Sequence, residues 1–348
     1  MDKEILSLLP QVLLPWFDRE KRDLPWRQNK DPYRVWLSEI MLQQTRVEAV
    51  KGYYTRFLAQ LPTLQALAEA DDELLYKLWE GLGYYSRVRN LKKAAQQIVC
   101  THNGVFPCTY RDILALPGIG PYTAGAIASI CFDLPTPAVD GNVLRVVSRL
   151  CNDDTPIDSP AYKKRVEQRL SAVYPSRAGD FTQALMELGA TLCGPNWIAR
   201  CTECPCAAFC RAHLAGTAEK LPVKSPKKVK RLEDRTVFIF SCAGSYALQK
   251  RPNTGLLAGL WEFPNVAGRL SMEEGLLLAQ SWGLHPRQLL RQVERQHIFT
   301  HIHWKMQGLY IEVTQMDGNF VWLTGEEIRR QTAIPTAFRQ FWEEIDDV

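Results

Sequence analysis

Leu116-Pro117-Gly118-Ile119-Gly120-Pro121-Tyr122-Thr123-Ala124, followed after about one helix and a loop by Val139-Asp140-Gly141-Asn142-Val143, decides how this chain of 348 residues is read. Gly118 and Gly120 lie between two helical runs, where glycine permits positive φ and close approach of another backbone. The helix expected from Thr123 to Ile130 begins with free N–H groups and a positive dipole end, which hold a phosphate without side-chain charge. Asp140 sets a carboxylate just beyond that grip. A backbone hold on a polyanion, with an acid aimed at what is held, points to breaking a bond in a nucleotide. The plainer alternatives are a tight turn between packed helices and an Asp140 that only caps the next helix.

A second acid lies upstream, in Trp36-Leu37-Ser38-Glu39-Ile40-Met41-Leu42-Gln43-Gln44-Thr45. Glu39 is one turn before Gln43 and sits among apolar residues. If those residues are core, Glu39 is desolvated, its pKa rises, and it suits general-acid work near neutral pH. The alternative is a glutamate on the wet side of an amphipathic helix.

The rest of the chain bounds these readings. Apolar content of 46%, charged content of 23%, net charge +4 and pI near 8.5 describe a globular protein that tolerates a polyanionic partner without requiring one. No secretory signal and no membrane-spanning stretch is read, so the expected compartment is the cytoplasm, in association with the nucleoid if the source is bacterial. Residues 1–216 read as helical, with Gly and Pro punctuation at Pro62, Gly81-Leu82-Gly83, Pro107 and Pro117-Gly118. Residues 217–234, with Lys220, Lys224, Lys227, Lys228, Lys230 and Arg231 among prolines, read as a basic linker. Residues 235–348 read as a small α+β domain, with strands at Thr236–Phe240, Tyr246–Gln249 and Gly308–Val313 and helices near 272–282 and 336–345. Cys193, Cys201, Cys204 and Cys210 are separated by seven, two and five residues. In a reducing compartment such a run suggests metal–thiolate ligation, and a compact string with one short clip fits a four-cysteine [4Fe–4S] site better than structural zinc. Cys206 is a near neighbour that fits the pattern less well.

Leu24-Pro25-Trp26-Arg27, the Trp36–Thr45 stretch, Gly81-Leu82-Gly83-Tyr84-Tyr85, the Gly118–Gly120 turn (in a hairpin at about 110–130) and Asp140 together resemble the helix-hairpin-helix DNA glycosylases and, within them, the MutY-type adenine DNA glycosylases. The resemblance covers essentially the whole chain. It implies a mainly α region built of a six-helix barrel module and an iron–sulfur helical module with its cluster loop at 193–210, followed by a Nudix-like recognition domain. The first cysteine gap is one residue longer than the family's usual spacing. The implied reaction is removal of adenine opposite 8-oxoguanine or guanine in double-stranded DNA by a monomer. Glu39 would protonate N7 of the flipped adenine, Asp140 would stabilise the sugar cation, and Tyr122 and Asn142 would orient them. Trp26 and Arg27 would line the adenine pocket, Gln44 and Tyr84 would fill and wedge the duplex gap, and Thr45, Leu82, Gly118 and Gly120 complete the DNA-contacting set. The sister endonuclease III branch carries a Schiff-base lysine where Tyr122 stands; a phenol is a poor nucleophile, so Tyr122 argues for a glycosylase without strand nicking.

Leu248–Pro252 and Gly255–Pro264 resemble the start of a Nudix fold, but Glu273-Glu274-Gly275-Leu276 does not supply the glutamates of its Mg²⁺ signature, so recognition is expected and hydrolysis is not. The resemblance implies that Phe299, Thr300 and His301 read 8-oxoguanine, with threonine where the family usually has serine. The alternatives at that point are zinc held by His297, His301 and His303, or an outward polar strand. Three rival readings of the chain are a pyrimidine glycosylase/lyase, a nucleotide pyrophosphohydrolase and a non-catalytic DNA-binding protein.

Overall fold

The computed structural model describes residues 2–195, 199–226, 229–343 and 345. Lys227 and Lys228 of the basic stretch, residues 196–198 of the first cysteine gap and Glu344 in the last expected helical segment lie outside the described residues. The chain forms two compact units, residues 1–69 with 89–226, and residues 70–88 with 227–348.

The first unit is helical, as expected. Its helices run α1 Asp2–Ser7, α2 Leu9–Glu20, α3 Pro32–Leu42, α4 Val47–Gln60 and α5 Leu64–Glu69; α6, Asp72–Trp79, belongs to the second unit, and α7, Ser86–Thr101, leads back into the first. Then follow α8 Tyr110–Leu114, α9 Pro121–Phe132, α10 Gly141–Cys151, α11 Pro160–Ser171, α12 Ala178–Thr191 and the short α13 Arg211–Leu214. Local chemistry starts them: Asp31 accepts from Arg34 N with Pro32 in the first turn of α3, and Asp140 accepts from Val143 N at the start of α10. Helix α9 is buried from Thr123 to Ile130. A Cβ on Gly125 would stand 2.2 Å from the Pro137 carbonyl oxygen, so the missing side chain lets α9 press onto the extended segment that leads into Asp140. Leu9, Leu13 and Phe17 of α2 pack with Val143, Val147 and Leu150 of α10 and Phe181, Leu185 and Leu188 of α12 in one buried cluster. Each such side chain contributes about 1.5–3 kcal/mol of burial. That core fixes the two helices, α10 and α12, whose polar residues face the site.

The second unit is built on a sheet of strands β1 Arg231–Cys242, β2 Ser245–Lys250, β3 Trp261–Glu262, β4 Asn265–Ala267, β5 Pro286–Ile298, β6 Ile302–Val313 and β7 Val321–Thr324. The order is β3-β2-β1-β6-β5, with β4 paired to β1 and β7 to β2. β1 and β6 run parallel, Val237 opposite Gly308 and Phe238 opposite Leu309, and the remaining pairs are antiparallel. Alternation splits β1 between two cores: Val237 and Ile239 join Trp304, Met306 and Phe338, whereas Phe238 and Phe240 join Leu309, Ile311 and Ala279. Helix α14, Met272–Ser281, contributes Ala279 to the second core; α15, Gly325–Gln331, and α16, Thr336–Trp342, contribute Ile328 and Phe338 to the first. β1 begins inside the basic stretch, where Arg231 N donates to the His301 carbonyl at 2.9 Å. The expected strands and helices of this domain are present. Strands β3, β4, β5 and β7 and helix α15 were not read from the sequence, and the hairpin of β5 with β6 makes the 299–301 segment a tip.

Candidate active site

A cleft of about 680 Å³ in the first unit gathers the four catalytic candidates with Trp26, Arg27, Gln44 and Thr45. It falls in the size range of sites for small organic groups. The 3₁₀ turn Pro25–Arg27 contributes Trp26 and Arg27, α3 contributes Glu39, the segment after it Gln44 and Thr45, α9 Tyr122, and the start of α10 Asp140 and Asn142. Trp26 is buried edge-on to Tyr54, with ring centroids 5.6 Å apart. Gln44 follows the end of α3 at φ 59°, an uncommon conformation for a residue other than glycine.

Glu39 is 5% exposed, and the Tyr122 hydroxyl donates to its Oε2 at 2.7 Å. Burial pushes Glu39 up to about 7, against the opposing pull of the Tyr122 hydrogen bond, while the Asp140 carboxylate pushes it further up. Burial beside Glu39 and Asp140 raises Tyr122 well above a phenol's usual range, so this tyrosine stays neutral and acts as a donor. Asp140 is also raised by burial, but its carboxylate is held by Val143 N at 2.8 Å and by Asn142 Nδ2 at 2.8 Å, which oppose the rise. Asp140 therefore caps α10 and faces the cleft at once.

Sequence reasoning missed two residues of the same cleft. Glu187 of α12 is fully buried and accepts from Arg22 Nε at 2.6 Å and from Arg27 Nη2 at 2.7 Å. Burial alone would raise Glu187, but the two guanidiniums hold it below the usual carboxylate range. One cleft thus contains a glutamate kept ionised by two guanidiniums and another kept poised for protonation. The signal that could have found Glu187 is the one that found Glu39, a carboxylate on the apolar face of a helix.

Gly118 lies at φ 76° against Asn90, where a Cβ would meet the Asn90 Cβ at 2.5 Å; Gly120 caps α9 and opens to free space. In the second unit, Tyr84 is 49% exposed at φ 47°, and its hydroxyl is 3.0 Å from Thr300 Oγ1. Leu82 is buried, so its side chain is not offered at the surface, although its carbonyl accepts from Arg87. Thr300 and His301 are exposed at the β5–β6 tip, while Phe299 stands edge-on between His297 and Trp304 at 4.5 and 4.8 Å.

Cys193, Cys201, Cys204, Cys206 and Cys210 wall one small cavity together with Arg149, Arg200, His213 and apolar residues such as Val146 and Leu188. Buried Arg149 donates to Cys193 Sγ at 3.3 Å and to the Gly194 carbonyl at 2.7 Å. Thiols in an apolar pocket beside a guanidinium suit a soft, anionic metal–thiolate group. Among the described residues no three His, Cys, Asp or Glu side chains gather closely enough to hold a metal ion, which covers the histidines at 297, 301 and 303 as well.

Residues 37–175 match the HhH-GPD superfamily of base excision DNA repair proteins, and residues 235–344 match the NUDIX domain. Adenine DNA glycosylase of Rattus norvegicus is 38% identical over 95% of this chain and 77% of the rat protein; that of Homo sapiens is 37% identical over 94% of this chain and 72% of the human protein. The chain belongs to the adenine DNA glycosylase family. The glycosylase shares its helical fold with a thermostable thymine-DNA glycosylase, at TM-score 0.54 and 24% identity over 61% of this chain and 98% of that one. Endonuclease III from a non-covalent DNA complex gives TM-score 0.52 and 22% identity over 63% and 97% of the two chains. The glycosylase is therefore an enzyme of base excision repair acting on DNA.

Proposed function

We propose that this glycosylase hydrolyses the N-glycosidic bond of adenine mispaired with 8-oxoguanine or guanine and leaves an abasic site without nicking the strand. It would act as a monomer on double-stranded DNA in the cytoplasm. The observation that carries this reading is the buried Glu39, hydrogen-bonded by Tyr122, in one cleft with Asp140. The adenine must leave the stack before any side chain reaches its glycosidic bond. Glu39, with its pKa near 7, gives its proton to N7 of the flipped base. The C1′–N9 bond then breaks with its electron pair leaving on the base, and the sugar takes on oxocarbenium character. Asp140 stabilises that cation as carboxylates do in glycoside hydrolysis, and a water adds to C1′ with loss of a proton. Tyr122, locked as a neutral donor to Glu39, has no role as a nucleophile.

For the opposite base, the support is the exposed Thr300 hydroxyl and His301 at the β5–β6 tip, beside the wedge candidate Tyr84. For the cofactor, Cys193, Cys201, Cys204 and Cys210 would hold a [4Fe–4S] cluster, with Cys206 the competing ligand. The cluster would supply a rigid cross-link for the loop, and the chemistry of base release does not pass through it. Iron and sulfide analysis of purified protein carrying Cys210→Ala or Cys206→Ala separates the two sets: loss of iron only in the first is expected.

The deciding experiment is a single-turnover incubation with a duplex containing adenine opposite 8-oxoguanine, assayed with and without hot alkali. Breaks only after alkali are expected. Breaks without alkali would overturn the non-nicking assignment, and intact DNA in both arms would overturn the substrate.

A further inference from the structure

Helix α6 and the loop after it, residues 70–88, form part of the second unit, and beside buried side chains such as Leu75 and Trp79 they carry specific polar contacts to the rest of it. At one end Glu73 accepts from Trp261 Nε1 at 3.0 Å and pairs with Lys250. At the other end Glu80, 17% exposed at its side chain, receives Arg339 Nη2 at 2.8 Å, Lys77 Nζ at 2.7 Å and the backbone N–H of Ile334 at 3.2 Å. Lys77 Nζ reaches on to the Thr332 carbonyl at 3.1 Å.

The loop that follows Glu80 is stiff. Gly81, Gly83 and Tyr84 all take positive φ, of 100°, 69° and 47°. For Tyr84 this conformation is costly and persists only because its surroundings impose it. The surroundings are visible. Arg87 Nη2 donates to the carbonyls of Leu82 and Gly83 at 2.8 and 3.1 Å, and Trp79 Nε1 donates to the Gly83 carbonyl at 3.1 Å. A stiff loop passes any displacement of its first residue to its last. The last residue is Tyr84, whose hydroxyl meets Thr300.

We infer that Glu80 is a positioning residue for discrimination of the opposite base: by anchoring the 80–84 loop to the α15–α16 connection and to Arg339, it sets the Tyr84 hydroxyl against Thr300 and so fixes the direction of the Thr300 hydroxyl. The inference rests on the proposed reading that Thr300 faces the opposite base. Glu80 touches no DNA; its effect passes through Tyr84. Substituting Gln keeps the size and an acceptor for Ile334 N–H while removing the charge that holds Arg339 and Lys77, and charge-assisted bonds are the stronger kind.

The test compares single-turnover rate constants on adenine opposite 8-oxoguanine and on adenine opposite guanine, for the full chain and for Glu80→Gln, Tyr84→Phe, the double variant and Thr300→Ala. The expected result is that Glu80→Gln lowers the preference for 8-oxoguanine about tenfold, that Tyr84→Phe does the same, and that the double variant loses no more than either. A general weakening of the fold would instead slow both substrates alike and add to the effect of Tyr84→Phe, and either behaviour overturns the inference. If Thr300→Ala loses the preference while Glu80→Gln keeps it, the inference fails alone. If Thr300→Ala keeps the preference, the reading of the loop fails with it.

Discussion

Their partners, not their burial, separate the two glutamates of the cleft. Glu187 is buried against two guanidiniums and stays ionised; Glu39 is buried against a phenol and is pushed up to about 7. As the acid, Glu39 works only while protonated, so base release by the wild type is expected to fall about tenfold per pH unit above pH 7. Glu39→Gln is expected to abolish base release while keeping mismatch binding, and full activity in that variant would sink the assignment. The same shift links to stability. The folded state holds the Glu39 proton between 4.5 and about 7, where the unfolded chain has lost it. The stabilisation from that proton is therefore complete below pH 4.5 and gone above about pH 7, a change of about 3 kcal/mol at about 1.4 kcal/mol per unit. Glu39→Gln has no such titration, so it should gain on the wild type by about 2.5 kcal/mol between pH 5 and pH 8. Denaturant unfolding at the two pH values checks this; equal stability differences would mean Glu39 is not desolvated. Glu39, Tyr122 and Asp140 were legible because each sits in a patterned stretch. The pairing of Arg22 with Glu187 was not, since they lie 165 residues apart and only the packing of α2 against α12 brings them together.

At the scale of an element, α10 carries two duties on one residue. Asp140 starts the helix by accepting from Val143 N, and the same carboxylate faces the cleft. The duties separate by substitution. Asp140→Asn keeps an acceptor for Val143 N and loses the charge, so stability should change by under about 1 kcal/mol while single-turnover base release falls at least about a hundredfold. Asp140→Ala should lose activity as far and also cost about 1 kcal/mol or more of stability. An Asn variant as unstable as the Ala variant, or one that keeps activity, would show that capping is the whole role. Helix α10 is signalled by its Asp140 cap, an apolar period and Asn152 at its end, and α9 by the Gly120-Pro121 start and an unbroken apolar run. β5 was not legible, because it is an edge strand whose half-buried face carries Arg291, Arg295 and His297 while Leu290 and Ile298 are exposed, with irregular pairing at Pro286–Gln288 and Leu289–Arg291 that interrupts the alternation.

For the whole molecule, the sequence reading placed residues 70–88 with the helical region because they look helical, and α6 is a helix. An amphipathic pattern says that a face is buried but not against what, and the polar partners of α6 (Lys250, Trp261, Thr332, Ile334 and Arg339) lie more than 160 residues downstream. This has a consequence for any attempt to isolate the helical region. A chain ending at Pro226 lacks all five of those partners. α6 has eight residues, and helices shorter than about 12–15 residues are marginal without tertiary support. Hydrogen exchange on the truncated chain should therefore show protection lost across residues 72–80 and retained in α9 and α10, whose cores lie within residues 1–226. Tyr84 would lose its Thr300 contact in the same truncation, so discrimination of the opposite base should fall further than the rate on adenine opposite guanine. If residues 72–80 stay as protected as in the full chain, α6 is held without its C-terminal partners, and the grouping of that segment with the second unit carries no energetic weight.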